Sequence, residues 1–148
     1  MAIPAFNKHG LLPEGIHDCS LEELRDRFGT FQSSDRRPRL WQRLRQFIED
    51  LRQSDLIREV LIDGSFVTNL PSPNDIDLIL VLPLDHDIHA ELTPSAYNVI
   101  SKTRVRVQFE FDIFVVGAES IEYRKALGFF ARVRNRPQLR KGILRLQL

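Results

Sequence analysis

Two aspartates at the start of a predicted strand are the residues whose spacing most clearly suggests chemistry. Asp75 and Asp77 stand at positions i and i+2, where an apolar run that continues to Leu82 begins. Alternate residues of a strand point to the same face, so the two carboxylates would lie side by side. Because like charges repel at this spacing, a cation between them is favoured, and oxygen ligands suit Mg²⁺. A turn that follows Pro73 and Asn74 is the alternative interpretation.

A third carboxylate follows on a later predicted strand. The segment 104–114 alternates apolar and polar residues, which predicts a strand with Asp112 on its polar face near its end. A hairpin-like or adjacent pairing with the strand 76–82 would bring Asp112 beside Asp75 and Asp77. Taken alone, Asp112 could simply continue a solvent-facing side, but the three acids together favour a shared site.

A Gly-Ser pair precedes the aspartates. Gly64 and Ser65 follow a short predicted strand, Glu59–Ile62, and are followed by a brief helical turn over 66–69. Glycine allows a backbone to approach a phosphate closely, and a serine near a helix N-terminus can donate to a phosphate oxygen. Alone, Gly-Ser is a turn; its distance before Asp75 is what favours a function.

The elements that must position these residues form a mixed α/β pattern. Residues 1–18 are predicted as an extended arm and 31–39 as a polar loop. Helices are predicted from the capping residue Ser20, with Pro38 in the first turn of the next and an apolar stripe from Leu40 to Leu51, from Thr93-Pro94, and from Ser120 to about Arg132. A turn at 135–137 and a strand at 143–148 end the chain. We therefore expect an α/β (α+β) fold, with a short mixed sheet flanked by helices.

Length and composition predict one domain spanning residues 1–148, with the arm, two helices at 19–52 and a core at 58–148. The chain has 148 residues, of which 43% are hydrophobic and 28% charged, an ordinary globular mixture. Its single cysteine, Cys19, excludes an intrachain disulfide and a cysteine-based metal site. We expect no signal peptide, no membrane span and a cytoplasmic protein.

Charge is distributed unevenly along the chain. Residues 59–95 contain seven acids and no Lys or Arg, whereas residues 121–148 contain eight basic residues and one acid. An acidic centre beside a basic tail suits a metal that meets a polyphosphate. A solvated basic surface, or a patch for nucleic acid or an acidic partner, is equally compatible with this distribution.

The combined motifs resemble a known family. Gly64-Ser65, Asp75-x-Asp77 and Asp112 on a later strand resemble the nucleotidyltransferase fold of the DNA polymerase beta superfamily. The longer pattern is similar, over nearly the whole chain, to a small uncharacterised bacterial branch related to minimal nucleotidyltransferases. The segments that carry this likeness are Leu12-Pro13-Glu14-Gly15-Ile16-His17, Asp63-Gly64-Ser65-Phe66-Val67-Thr68, Pro73-Asn74-Asp75-Ile76-Asp77 and Lys141-Gly142-Ile143.

The resemblance implies a nucleotidyltransferase. Asp75, Asp77 and Asp112 would be both catalytic and ligands of Mg²⁺ (or Mn²⁺), and Gly64, Ser65 and Thr68 would bind the nucleotide. The substrate would be a nucleoside triphosphate, and its nucleoside monophosphate would pass to a hydroxyl of a protein or RNA. By analogy alone, the protein could act as the modifying antitoxin of a toxin-antitoxin pair.

One departure from the pattern keeps alternatives open. Many active small members carry an arginine shortly after the Gly-Ser, where this chain has residues 66–69, Phe-Val-Thr-Asn. A basic phosphate contact would have to come from Lys102, Arg104, Arg106 or the C-terminal arginines. A catalytically weak or inactive binding or antitoxin module of the same fold is therefore one alternative. A nucleic-acid-binding domain that uses arginine-rich faces is another.

Overall fold

A five-stranded mixed sheet forms the centre of the fold. The computed structural model describes residues 3–87, 89–133 and 136–148. Its helices are α1 (Leu21–Phe28), α2 (Arg36–Ser54), α3 (Pro94–Ile100), α4 (Lys102–Phe109) and α5 (Ile121–Phe130), with a 3₁₀ turn at Ser65–Val67. Its strands are β1 (Gly15–Asp18), β2 (Glu59–Asp63), β3 (Asp77–Leu82), β4 (Asp112–Gly117), β5 (Arg132–Val133), β6 (Arg136–Arg140) and β7 (Gly142–Gln147).

The strand order of the main sheet is β1-β7-β2-β3-β4, and β5 and β6 form a separate two-stranded sheet. β2 runs antiparallel to both β3 and β7, whereas β1 pairs with β7, and β4 with β3, in parallel. The helices α3 and α4 lie in the crossover between the parallel strands β3 and β4. The predicted α/β class with a short mixed sheet is confirmed.

The two faces of the sheet bury different clusters. Side chains of a strand alternate between faces, and the larger core collects Val60 and Leu80 from one face with Leu44 and Phe47 of α2 and residues of α1, α3 and α4. The smaller core collects residues of the other face around Phe130 of α5. Its members are Leu61, Ile79, Val81, Val116, Phe130 and Ile143.

Most predicted helices are confirmed by their caps. The Ser20 capping box begins α1, Thr93 and Pro94 begin α3, and Ser120 accepts from the Tyr123 N–H at the start of α5. Two boundaries differ from the prediction. α2 begins at Arg36, inside the predicted polar loop, and α5 ends at Phe130.

The predicted strand over 104–114 is wrong. Residues Lys102–Phe109 form α4, and Glu110 ends it in the left-handed region at φ 64°. Val105 and Phe109, four residues apart, are buried on one helix face, while Val107 is 81% exposed. The alternating pattern thus concealed an i, i+4 pair, and the lysine and arginines of this segment favour a helix. Asp112 accordingly begins its strand and pairs in parallel, not in a hairpin.

The described residues of the N-terminal arm form no helix; they turn between Asn7 and Leu11, and part of the arm joins the sheet. Leu12 is buried, and its carbonyl accepts from the Gly142 N–H at 3.0 Å. Residues 15–18 add β1 to the edge of β7. At the other end of the chain, Asn135 of the predicted turn lies outside the described residues, and Arg136 and Pro137 begin β6 instead. No helix in the described parts of the chain is long and apolar enough to cross a membrane.

Candidate functional site

Three aspartates lie side by side on three adjacent strands, at one end of the main sheet. Asp63 ends β2, while Asp77 and Asp112 begin β3 and β4. In the backbone register, Asp77 is opposite Asp63 on one side and opposite Asp112 on the other. Residues paired across neighbouring strands share a face, so the three carboxylates project from the same face. We call Asp63, Asp77 and Asp112 the acid row.

Asp75 lies just before β3 and is fixed to Ser65. Its Oδ1 accepts from the Ser65 N–H at 2.9 Å and from the Ser65 hydroxyl. The Ser65 Oγ in turn accepts from the N–H groups of Asn74 and Asp75, at 2.9 and 3.1 Å. Ser65 therefore holds the segment that carries Asp75. Asp75 is two residues before Asp77, the central member of the acid row.

Gly64 permits this close approach of two backbone segments. Its φ is 92° and its ψ is −178°, a conformation that is essentially limited to glycine. A Cβ at this position would lie 2.8 Å from the Asp75 carbonyl oxygen and 3.1 Å from the Asp77 nitrogen. The glycine thus holds the end of β2 against the entry to β3, beside the aspartates.

Thr68 closes the short turn that follows Ser65. Its hydroxyl donates to the Ser65 carbonyl at 2.7 Å and accepts from the Leu70 N–H at 3.3 Å. The residue is 9% exposed. In this conformation Thr68 shapes the loop, and its predicted contact with a nucleotide stays a prediction.

The loop after Gly64-Ser65 is held by an arginine from α2. Arg37 is completely buried, and its guanidinium donates to the carbonyls of Phe66 and Thr68, each at 2.7 Å. It also donates to the carbonyls of Phe28 and Leu70. A fully hydrogen-bonded guanidinium replaces the water that these carbonyls would otherwise bind. The loop is therefore shaped from a distant part of the sequence.

The neighbouring Arg36 holds the other end of the same loop. Its guanidinium donates to the carbonyls of Pro73 and Asn74, at 2.9 and 2.8 Å. Both residues directly precede Asp75. The first turn of α2 thus holds both ends of the loop that connects Ser65 to Asp75.

The acid row is electrostatically strained. Burial, together with the charges of Asp75, Asp63 and Asp112, raises the pKa of Asp77 to about 6. Burial likewise raises the pKa of Asp63 to about 6, although Lys141 opposes the shift. Repulsion of this kind is what a bound cation relieves.

Two basic side chains already compensate part of the row. The Lys141 ammonium lies 2.9 Å from Asp63 Oδ1, with only 15% of its side chain exposed. At the other end of the row, Arg106 of α4 forms an ion pair with Asp112. The row therefore has a cation at each end, and Asp77 lies between them.

The donor set is of the type that suits a hard divalent cation. Carboxylate oxygens are the ligands that Mg²⁺ and Mn²⁺ prefer, and Asp77 is the unrelieved charge. Within the described ranges, no three acidic, histidine or cysteine side chains converge closely enough to enclose an ion. Asp75 and Asp112 are exposed and engaged with Ser65 and Arg106. Ligation would require both carboxylates to turn from those partners towards Asp77.

Sequence reasoning missed four residues of this site: Asp63, Lys141, Arg36 and Arg37. Asp63 and Lys141 stood in the motifs of the resemblance, and their pairing across the sheet was not predictable from spacing. Arg37 lies three and four residues before Leu40 and Trp41, so the buried stripe of α2 extends back to it. That spacing was the available signal, and the charge of the arginine concealed it.

Fold and site together define a small α/β domain with a row of carboxylates at one end of a mixed sheet. The chain belongs to the family of unknown function DUF6932, whose model matches residues 4–147. No curated protein and no solved structure matches the chain significantly.

Proposed function

We propose that the protein is a divalent-cation-dependent nucleotidyltransferase of the DNA polymerase beta superfamily. It would transfer a nucleoside monophosphate from a nucleoside triphosphate to a hydroxyl of a protein or RNA, in the cytoplasm. The observation that carries the proposal is the register of Asp77 against Asp112, with Asp75 bound to Ser65 behind Gly64. The motifs that resemble that superfamily fall at this one place.

The proposed reaction is a single displacement at phosphorus. The acceptor oxygen forms a bond to the α-phosphorus, the bond from that phosphorus to the bridging oxygen breaks, and pyrophosphate leaves. The acceptor's proton passes to a carboxylate of the row or its neighbour Asp75. Mg²⁺, when bound, neutralises the phosphates and lowers the pKa of the attacking hydroxyl.

The chain's own groups would orient the substrate. Asp75, Asp77 and Asp112 would hold the cation, and Gly64 lets the end of β2 lie against the backbone of Asp75 and Asp77. The Ser65 hydroxyl would exchange its bond to Asp75 for one to a phosphate oxygen. Among the predicted basic phosphate contacts, Arg106 is a candidate because it pairs with Asp112.

A second candidate function rests on a specific observation. Arg106 forms an ion pair with Asp112, and the loop 66–70 contains no basic residue. A protein that retains these features could be a catalytically weak or inactive module of the same fold, acting as an antitoxin by binding a partner. In such a module the Arg106–Asp112 ion pair would never open, and Asp77 would have a structural role only.

Transfer of label from α-³²P nucleoside triphosphates separates the two candidates. The protein would be incubated with each triphosphate, Mg²⁺ or Mn²⁺, and the product of a neighbouring gene or total RNA. The transferase proposal predicts a labelled acceptor with wild-type protein and none with Asp77→Asn or Asp112→Asn. If Asp77→Asn retains the biological activity of the wild-type protein and no acceptor is labelled, the second candidate function, a binding module, is the correct one.

A further inference from the structure

We propose that a basic cleft next to the acid row binds single-stranded nucleic acid. The cleft has a volume of about 540 Å³ and lies between α5, the β5–β6 sheet and the end of the N-terminal arm. Its charged and aromatic lining residues are Glu14, Lys125, Phe129, Arg132 and Arg140. That the bound strand is also the acceptor rests on the proposed function; the binding itself does not.

The cleft concentrates positive charge that the described parts of the chain do not neutralise. Lys125, Arg132 and Arg140 face one acid, Glu14, and none of the three forms an ion pair with a described residue. Arg132 and Arg140 are register partners in the β5–β6 sheet. Like charges directly across a ladder destabilise it, so an anionic ligand would stabilise this sheet. Phosphates are such ligands.

An exposed aromatic ring stands at the same cleft. Phe129 is 65% exposed, although it is a large apolar side chain. Its ring packs edge to face on Phe130, with centroids 5.2 Å apart, and Phe130 is buried against Phe114 at 5.0 Å. Packing against the buried Phe130 ring therefore holds the exposed Phe129 ring in place. Rings that are rigidly held beside cations form stacking platforms for unpaired bases.

The cleft and the acid row are joined by one short segment. The Lys141 N–H donates to the carbonyl of Ala131, a cleft residue, at 2.9 Å. Arg140, which lines the cleft, directly precedes Lys141, whose ammonium contacts Asp63. A strand whose phosphates lie in the cleft would thus end beside the row, where a terminal hydroxyl could serve as the acceptor.

The dimensions and chemistry favour a single strand over a duplex or a protein. The volume is that of a pocket for a small ligand, roughly 300–1,000 Å³, and does not enclose a duplex. A base can reach Phe129 only when it is unstacked from its neighbours. A protein segment would offer neither regularly spaced phosphates nor bases, and is therefore the alternative outcome of the test.

The test measures fluorescence anisotropy of a short labelled RNA and the DNA of the same sequence, at several salt concentrations. Phe129→Ala should weaken binding roughly tenfold through lost stacking. Arg140→Ala should reduce the slope of log K against log salt by about 0.7, the value for one phosphate contact of a single strand. Binding of either strand supports the proposal, since phosphates and bases are common to both.

Matched controls come from residues outside the cleft. Phe31 is 68% exposed, and Arg45 is exposed on α2, where it donates to Gln42. Phe31→Ala and Arg45→Ala should leave both affinity and salt slope unchanged. If Phe129→Ala and Arg140→Ala bind as tightly as these controls, or if the wild-type protein binds neither strand, the proposal is overturned.

A parallel titration with a fluorescent nucleoside triphosphate and Mg²⁺ keeps the two proposals separate. Asp77→Asn should lose triphosphate binding and retain RNA binding, whereas Arg140→Ala should weaken RNA binding and retain triphosphate binding. RNA binding that depends on the cleft, in a protein that never binds triphosphate, would support the cleft and contradict the transferase. Triphosphate binding without cleft-dependent RNA binding would contradict the proposal about the cleft but not the proposed transferase function.

Discussion

At the scale of single residues, Gly64 is the position where the site tolerates the least change. For Gly64→Ala we expect a loss of about 1–3 kcal/mol of unfolding free energy, because only glycine adopts this backbone conformation without strain. The new Cβ would also displace the Asp75 carbonyl. Urea denaturation followed by circular dichroism measures the loss.

Gly128 in α5 offers the matched control. A Cβ there would meet nothing within 4 Å, and alanine is preferred to glycine inside a helix by about 0.5–1 kcal/mol. Gly128→Ala should therefore stabilise the protein. Equal effects of the two substitutions would contradict the role assigned to Gly64.

Asp77 makes the stability of the protein depend on pH. Its pKa is raised from 3.8 to about 6 in the folded state, so the folded protein binds the proton more tightly than the unfolded chain. The contribution of the protonated group is complete below pH 4 and is lost as the pH rises through 6. Asp77→Asn, without divalent cations, should therefore match the wild type near pH 4 and exceed it by about 1–2 kcal/mol at pH 8, after allowance for solvent screening.

Chemical denaturation of both proteins at pH 4, 6 and 8 checks this difference. Comparison with Asp77→Asn removes the contributions of other groups, such as Asp18, whose pKa is lowered by its hydrogen bond to Arg145. A difference that stays constant with pH would show that the Asp77 carboxylate is not strained by its neighbours.

At the scale of elements, the first turn of α2 is the part that shapes the loop between Ser65 and Asp75. Arg37→Ala would leave four loop and helix-end carbonyls without their donor. We expect a loss of at least about 3 kcal/mol of unfolding free energy, because each unsatisfied buried group costs about 1–3 kcal/mol. Thermal and urea unfolding provide the measurement.

Arg39, two residues further along the same helix, is the control. It is exposed and pairs with Asp35 at 2.9 Å, and such surface pairs contribute less than about 1 kcal/mol. Arg39→Ala should be nearly neutral. If Arg37→Ala were equally mild, the loop would be held by other contacts, and α2 would have no part in forming the site.

Elements also show where sequence reasoning succeeds. Capping residues made α1, α3 and α5 predictable, because Ser20, Thr93 and Ser120 each supply a hydrogen bond that local sequence alone determines. The segment 102–109 was mispredicted because alternating valines resemble a strand, while burial selects only Val105 and Phe109. Which face is buried depends on the rest of the fold, so a pattern of eight residues cannot decide it.

At the scale of the whole molecule, the sequence predicted the fold class and the meeting of Asp77 with Asp112. The meeting was predicted from a strand over 104–114, most of which is the helix α4, and Asp112 instead begins the strand that follows it. Asp63, Lys141 and Arg37 were not assigned to the site, since their partners lie across the sheet or in a distant loop. Contacts of this kind depend on strand order, which local sequence does not determine.

Calorimetric titration with Mn²⁺, with and without a non-hydrolysable nucleoside triphosphate, tests the central proposal most directly. We expect triphosphate to bind only when the metal is present. In Asp77→Asn metal affinity should fall at least about tenfold, since even loss of an outer-shell partner can cost that much. Asp26→Asn, at an exposed surface pair with Arg25, should bind as the wild type does. Absence of metal-dependent triphosphate binding, or equal affinities in Asp77→Asn and Asp26→Asn, would contradict a metal–nucleotide site at the acid row.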